Sequence, residues 1–329
     1  MKLLLRLGIV FFTLLSLAAF FGSAYRAGNL YLQSGSPSAG RSYHFALYLP
    51  EPSAGAEGRG APRDNRNSFF AGIILGAERA AAELDAAISI HSIDPAKNEL
   101  EMALYTGING AIVCPYMDDT LARRQLERLG QKQIPVVLIN HNVPNNQPWP
   151  FIGTNNFDVG RRIGLMTGGI NPGPVRLMVV YSDKAPGIYG ERELVEMGIT
   201  AALGKRLPEP IMTARTGLSP LDAEELLYRL FRTKPDINTI VFTDSNDTIA
   251  AAQTLIDMNL VGRIQVIGFG ADPVIQEHIR KGVIACAIVI DPDRIGYEAI
   301  RSLTALRTTG YTSNSIDTGL QIIDKDSLR

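Results

Sequence analysis

Histidine and cysteine are scarce here, with four of the first and two of the second in 329 residues. None of them has a partner at metal-ligand spacing, so no metal centre is expected. Cys114 and Cys286 sit inside the apolar runs Gly110-Ala-Ile-Val-Cys and Ala285-Cys-Ala-Ile-Val-Ile, which is the setting of small buried core residues. Formal net charge is −1 and no like charges run together. That removes both the basic footprint of a nucleic-acid binder and a charged interaction tail. The motifs of nucleotide and acyl-transfer enzymes are missing too. Gly268-Phe269-Gly270 follows a strand-like run, but the glycine spacing of a dinucleotide loop is not completed, and no Walker loop occurs. No Gly-x-Ser-x-Gly elbow is present. His141 is the best base available, yet it lies between two asparagines at a strand end, where it reads first as a hydrogen-bonding group. An enzyme on a doubly wound fold is therefore the remote alternative, and no cofactor is expected.

What is present is globular material: 46% hydrophobic residues, 20% charged, 31 Gly and 19 Pro. A chain of this length suits two domains of roughly 150 residues. Its first segment is distinctive. Lys2 and Arg6 precede an apolar run from Leu7 to Phe21, followed by Gly22-Ser23-Ala24. A positive start, an apolar stretch and small residues before a possible cut after Ala24 describe a signal peptide. Leu7 to Ala24 also approaches the length of a spanning helix, so residues 1–24 read as a signal peptide or an N-terminal membrane anchor. No cysteine follows the run, which excludes a lipid-anchored lipoprotein. Either reading exports the rest of the chain, to the periplasm or the outer face of the cytoplasmic membrane. Residues 25–42, Gly/Ser/Pro-rich and without period, read as a spacer.

From Tyr43 onward strands and helices alternate. Tyr43 to Pro50 is a first strand, and Glu51 to Arg66 is a loop long enough to be functional or disordered. The helix after it carries apolar residues at Phe70, Ile73, Ile74, Ala77, Ala81 and Leu84, a stripe of helical period. Asn67 or Ser68 can cap it. Two adjacent aromatics, Phe69 and Phe70, are more than a covering helix needs; either one ring faces a ligand as half of a clamp, or the segment is simply a capped helix with a hydrophobic first turn. Strands follow at 87–94, 111–116, 135–141 and 151–153, with helices at 95–106, 118–130 and up to about Gly168. A second series starts at Val175 and runs through strands at 210–214, 239–244, 265–270 and 285–290 to a last strand near 320–323. Its helices cover 191–203, 221–233, 247–258, 273–281 and 293–306. This alternation implies an α/β fold of two doubly wound, Rossmann-like parallel-sheet lobes. Ligands bind such sheets outside the carboxyl ends of their strands. Those ends are polar here: Asn140-His141, Ser182-Asp183, Asp244-Ser245-Asn246 and Asp272. Each alone could be an ordinary helix cap; their recurrence along one edge in both series favours a binding site.

Several segments, taken in order, resemble the type I periplasmic binding proteins of the ribose/galactose kind, relatives of the effector domain of lac-repressor-type regulators. They are Asn67-Ser68-Phe69-Phe70, Ile93-Asp94-Pro95-Ala96-Lys97, Ile134-Pro135-Val136-Val137, Val266-Ile267-Gly268-Phe269, Lys281-Gly282-Val283-Ile284-Ala285 and Pro292-Asp293-Arg294-Ile295-Gly296. The resemblance spans about His44 to Asp326. It implies two lobes joined by a three-crossing hinge, with crossings near Gly153-Thr154, near Ile290-Asp291 and within Thr308 to Asn314. Lobe one is then 43–153 plus 291–310, and lobe two 154–290 plus 311–329. This places the two cysteines in different lobes and argues against a disulfide.

The same resemblance marks positions for ligand contact. Asn67, Phe69 and Phe70 match the group that touches and stacks on a sugar ring, where an aromatic face suits the C–H patch of a pyranose. Where relatives usually carry Asp-Arg after the fourth strand, this chain has Asn140-His141. Glu193, with Arg192 beside it, stands where an arginine commonly reaches in. Ser245, flanked by Asp244 and Asn246, replaces an asparagine. Gly270 replaces an aspartate, with Asp272 two residues on, and Ile290 replaces a glutamine. Several charged or bidentate sugar contacts are thus changed, which implies weaker discrimination by hydroxyl pattern. The implied activity is capture of a small molecule, a sugar or similar compound, for an ABC permease. The alternative is a membrane-tethered sensing subunit that signals to a histidine kinase or chemoreceptor. A DNA-binding regulator would need an N-terminal helix-turn-helix, and Met1 to Ala24 is an export segment instead.

Overall fold

The structure, a computed structural model, describes residues 43–50, 65–93, 99–143, 149–183, 192–217, 219–234 and 236–329. The side chains of residues 65–68 and of Glu99 lie outside that description, as do residues 1–42 and the loop over 51–64. The expectations for a signal peptide or anchor, a spacer and a long first loop therefore fall outside the described residues.

The first sheet is assembled from strands whose apolar runs are buried on both faces. β1 (Tyr43–Pro50), β3 (Gly110–Val113), β4 (Val136–Ile139) and β5 (Phe151–Gly153) fill its middle, and β2 (Ala86–Ile93) forms one edge. Its strand order is β11-β5-β4-β3-β1-β2, with every pair parallel. Two helices, α1 (Asn65–Glu83) and α2 (Asp119–Gln131), belong to this part. In α2, Ala122, Leu126 and Leu129 face the sheet at helical spacing, and Asp118 caps the helix by accepting from the Thr120 and Leu121 N–H groups.

After Gly153 the chain enters a second sheet through α3 (Asn156–Ile170). There β6 (Leu177–Ser182), α4 (Arg192–Leu203), β7 (Met212–Thr216), α5 (Asp222–Thr233), β8 (Thr239–Phe242), α6 (Ser245–Asp257), β9 (Gln265–Phe269), α7 (Pro273–Arg280) and β10 (Cys286–Val289) follow one another. The order of this sheet is β12-β10-β9-β8-β6-β7, parallel except for the β10–β12 pair. α8 (Pro292–Thr309) and β11 (Ser315–Asp317) return to the first sheet, and β12 (Gln321–Asp324) closes the second. Both sheets thus repeat one doubly wound order, with the strand sequence reversing direction at β1/β3 in one and at β6/β8 in the other.

Three apolar clusters hold these layers. One carries Tyr48, Leu100, Leu126 and Val136 on one face of the first sheet, and one carries Leu227, Phe242 and Leu255 on one face of the second. The third joins the remaining faces of both sheets, from Phe45 and Ile73 to Val159 and Ile199.

Three expectations need correction. β11 was not anticipated: Ser-Ile-Asp offers one apolar residue, too little for a periodic signal, yet it pairs in parallel with Phe151–Gly153. Residues 315–317 therefore lie in the first sheet, and the third crossing falls at 318–320 rather than within 308–314. The helix expected over 95–106 is, in its described part, a 3-10 helix over Glu99–Tyr105. Its three-residue period puts Leu100 and Ala103 together in the core, and Gly107 (φ 66°) ends it. Finally, α1 begins at Asn65, so Asn67 and Ser68 lie inside the first turn and neither is the cap.

Candidate functional site

The carboxyl ends of the strands are where both sheets present polar groups. In the first sheet β4 is followed by Asn140, whose φ of 65° turns the chain out of the strand; asparagine tolerates that left-handed conformation better than most residues. Asn140 is buried, and its side chain bonds the Cys114 thiol. His141 projects beside it and meets Asp119, with Nε2 3.1 Å from Oδ1. Burial pushes the thiols of Cys114 and Cys286 up to about 12, so both are inert core groups. They are free; Cys114 follows β3 of the first sheet directly, and Cys286 lies in β10 of the second.

In the second sheet the reversal point is lined by fully buried polar groups. Asp244 caps α6, accepting from the Asp247 N–H at 3.0 Å. Asp247 is buried too and accepts from the Thr216 hydroxyl at 2.5 Å. Thr243 Oγ1 accepts from the Ser182 N–H and donates to the Val180 carbonyl. These bonds lock the ends of β6, β7 and β8 to the start of α6. Ser245 is buried beside Gly270, whose φ of 96° and close approach (3.0 Å from an added Cβ to the Ser245 Cβ) leave no comfortable room for a side chain.

The aromatic pair lies in the second turn of α1. Phe70 is 8% exposed and packs into the core, whereas Phe69 is half-buried, edge-to-face on Phe70 at 5.7 Å. Of the two rings, Phe70 seats the helix and Phe69 keeps an accessible face. Phe70 belongs to, and Phe69 packs against, the large apolar cluster that spans both sheets. Three residues after Phe69, a Cβ added at Gly72 would lie 2.5 Å from Pro292 Cγ, so this part of α1 runs against the residues of the second crossing.

Other expected positions are dispersed. Asp272 is an exposed cap of α7, accepting from the Val274 N–H at 2.8 Å. Arg192 lies 5.9 Å over the ring of Tyr181, and Glu193 is exposed. Burial, reinforced by Glu196, raises the Tyr181 phenol, which donates to the Glu196 carboxylate at 3.2 Å. Arg192 is thereby engaged with a buried tyrosine of its own lobe.

The crossings themselves are bonded together. Thr318 N–H donates to the Gly153 carbonyl at 2.9 Å, Arg294 Nη1 to the Thr318 carbonyl at 3.2 Å, and Asn155 N–H to Asp317 Oδ1 at 3.4 Å. Beside them a cavity of about 360 Å³ is lined by Asp291, Arg294, Thr318 and Gln321 together with apolar Ile290, Pro292 and Leu320. Sequence reasoning singled out only Ile290 of these. Arg294 lies in a segment that carried the family likeness, but Thr318 follows a strand with no sequence signal.

A family model for periplasmic binding protein domains matches residues 61–310. The chain belongs to the periplasmic binding protein family. Among solved structures, a glucose-galactose binding protein from Geobacillus stearothermophilus is 21% identical, with a TM-score of 0.71 over 87% of this chain and 98% of that one. An ABC transporter solute-binding protein from Burkholderia graminis, in complex with D-arabinose, is 19% identical, with a TM-score of 0.70 over 88% and 97%. One from Actinobacillus succinogenes with bound D-allose is 16% identical, with a TM-score of 0.69 over 87% and 99%. At these identities the likeness establishes the fold. No curated protein matches the sequence. Among the described residues no group of three or more metal-ligating side chains occurs, and no helix is long and apolar enough to cross a membrane.

Proposed function

We propose that the chain is an exported binding protein without catalysis of its own, which takes a sugar or sugar-like solute between its two lobes and presents it to an ABC permease. One observation carries this reading: Phe69 keeps an accessible face three residues before Gly72, where an added Cβ would lie 2.5 Å from Pro292 Cγ beside the second crossing. A ring in that position offers the flat apolar surface that suits a pyranose. The sugars bound by structurally similar proteins point the same way. In this reading Asn67, Asn140, His141, Asp244, Ser245, Asn246, Gly270 and Ile290 line the closing cleft, and closure buries most of the ligand. Arg192, over the Tyr181 ring, and Asp272, capping α7, stand at its margin, with the exposed Glu193 next to Arg192. A micromolar affinity, about −8 kcal/mol, is within reach of a few hydrogen bonds and one stacked ring.

Titration calorimetry against a panel of sugars, polyols and nucleosides tests the proposal. Binding is expected for at least one sugar, with Phe69→Ala weakening it by about tenfold or more, roughly 1.4 kcal/mol, in a protein that still folds. Silence across the whole panel would defeat it. The sensor alternative, coupling to a histidine kinase or chemoreceptor, is favoured by the length of the apolar run Leu7 to Ala24. Fractionation of the native protein, membrane against periplasm, separates the two.

A further inference from the structure

We propose that the cavity beside the crossings is a second binding site, distinct from the interlobe cleft, for a small neutral polyhydroxyl solute. Of the positions assigned to the cleft only Ile290 lines it. Its walls come from two crossings, Val289 to Pro292 and Thr318 to Gln321, closed by the first turn of α8. At about 360 Å³ it lies near the lower end of the range for small-molecule pockets, which fits an occupant of monosaccharide size or less.

The polar lining is unusual for a structural void. Thr318 is 3% exposed, yet its hydroxyl has no hydrogen-bond partner among the described residues. A buried hydroxyl left unmatched is costly, and such groups normally find a partner or a bound molecule. Beside it stand one carboxylate and one guanidinium. Asp291 Oδ1 accepts from the Arg294 N–H at 3.2 Å, and Arg294 Nη1 donates to the Thr318 carbonyl. Each group has further bonding capacity: a carboxylate accepts at several lone pairs, and a guanidinium carries five N–H donors.

The two charges balance, so the cavity selects neither an anion nor a cation. A hydroxyl can donate to Asp291 and accept from Arg294 or Thr318, while Ile290, Pro292 and Leu320 cover the C–H side of the same molecule. The occupant touches β10 and β12 of one sheet and the start of α8, packed on the other. Its affinity then depends on hinge angle, and by linkage it alters cleft affinity to the same degree.

The test is calorimetry on the full chain with glycerol, erythritol and D-arabinose, taken to millimolar concentration, for the parent protein and for Thr318→Val, Arg294→Gln and Phe69→Ala. A binding event weakened about tenfold in both Thr318→Val and Arg294→Gln and retained in Phe69→Ala supports the hinge site. Thr318→Val preserves shape, and Arg294→Gln provides an independent variant should the first fail to fold. The proposal is overturned if none of the three probes binds, if every event survives both hinge variants, or if the event lost in them is lost in Phe69→Ala as well. The cleft reading fails separately, when no sugar of the wider panel shows a Phe69-dependent event.

Discussion

Each lobe is built around one pair of helices in backbone contact, α1 with α8 in the first and α3 with α4 in the second, and the two pairs solve the same problem with different side chains. In the first pair a Cβ on Gly76 would overlap the Asp293 carbonyl, and one on Gly296 the Ile73 carbonyl. In the second, Gly160 stands against Val195 and Gly198 against Phe157. Each pair is thus locally two-fold, with glycine three residues after the residue its partner touches. Both α8 and α3 begin directly after a crossing, capped by Asp291 and Asn155. The difference lies in the charges. Arg79 of α1 pairs with Asp293 and lies 4.5 Å over the Tyr297 ring, and Tyr297 donates to Glu83 at 2.7 Å, so exposed groups strap α1 to α8. In α3 the described ionic contacts stay within the helix, where Asp158 holds Arg161 and Arg162. The strap on α3 comes instead from beyond its partner helix, where the Arg206 guanidinium, just past α4, donates to the Gly168 and Asn171 carbonyls at the end of α3. The hinge-return helix is strapped by its partner helix itself.

The sharpest way to break this parallel is to fill the contacts. Gly76→Ala and Gly160→Ala each drive a methyl into a backbone carbonyl that cannot move without its helix. Each should cost about 3 kcal/mol or more, above the ordinary range for overpacking because backbone must shift. Thermal unfolding should show a drop of roughly 5–10 °C for either variant. If Gly76→Ala were tolerated while Gly160→Ala were not, the strap rather than the glycine contact would define the first pair.

These contacts also show what could be read from residues alone. The alternation of apolar strands with amphipathic helices such as Asp222–Thr233 carries its own period, so the two lobes and most elements were visible. Helix-against-helix glycines were not, because a glycine inside a helical stripe looks the same whether a partner touches it or not. The strand at 315–317 was hidden for a related reason: three residues of which two are exposed hold no pattern, and only pairing with β5 makes them a strand. For the proposed site, the sequence singled out Phe69-Phe70 as an excess of aromatics near the start of α1, and the structure separates the pair into one buried ring and one half-buried ring. The hinge cavity was not, since Arg294 and Thr318 are 24 residues apart in the chain and meet only through the third crossing.

Capping gives the next smaller effect. Asn155 Oδ1 accepts from Asp158 N–H at 3.2 Å, and Asp291 Oδ1 from Arg294 N–H at the same distance. Asn155→Ala and Asp291→Ala should each lose about 1 kcal/mol in denaturant unfolding. Equal losses would place both crossing helices on the same footing. A markedly larger loss for Asp291→Ala would show that the hinge return depends on its cap as the first crossing does not.

The smallest effect separates the pairs by acid. Arg162 and Arg161, bonded to Asp158, hold its carboxyl below its ordinary value near 3.8. A carboxylate depressed in the folded state contributes stability that is whole above its unfolded value and is lost as pH falls through the lower, folded one. The contribution is that of two helical neighbours at one partly exposed carboxylate, about 0.5 kcal/mol in all. Asp158→Asn should therefore be slightly less stable than the parent at pH 7. That gap should begin to close as the pH falls below the ordinary value near 3.8 and vanish once it has passed the lower, folded value, where the parent's carboxylate is itself protonated. Melting curves of both proteins across that range check the sign. A gap that stayed constant into acid would mean that Arg161 and Arg162 support α3 through packing of their stems and not through charge, which would leave the Arg206 bonds to the Gly168 and Asn171 carbonyls as the charged contact of the second pair.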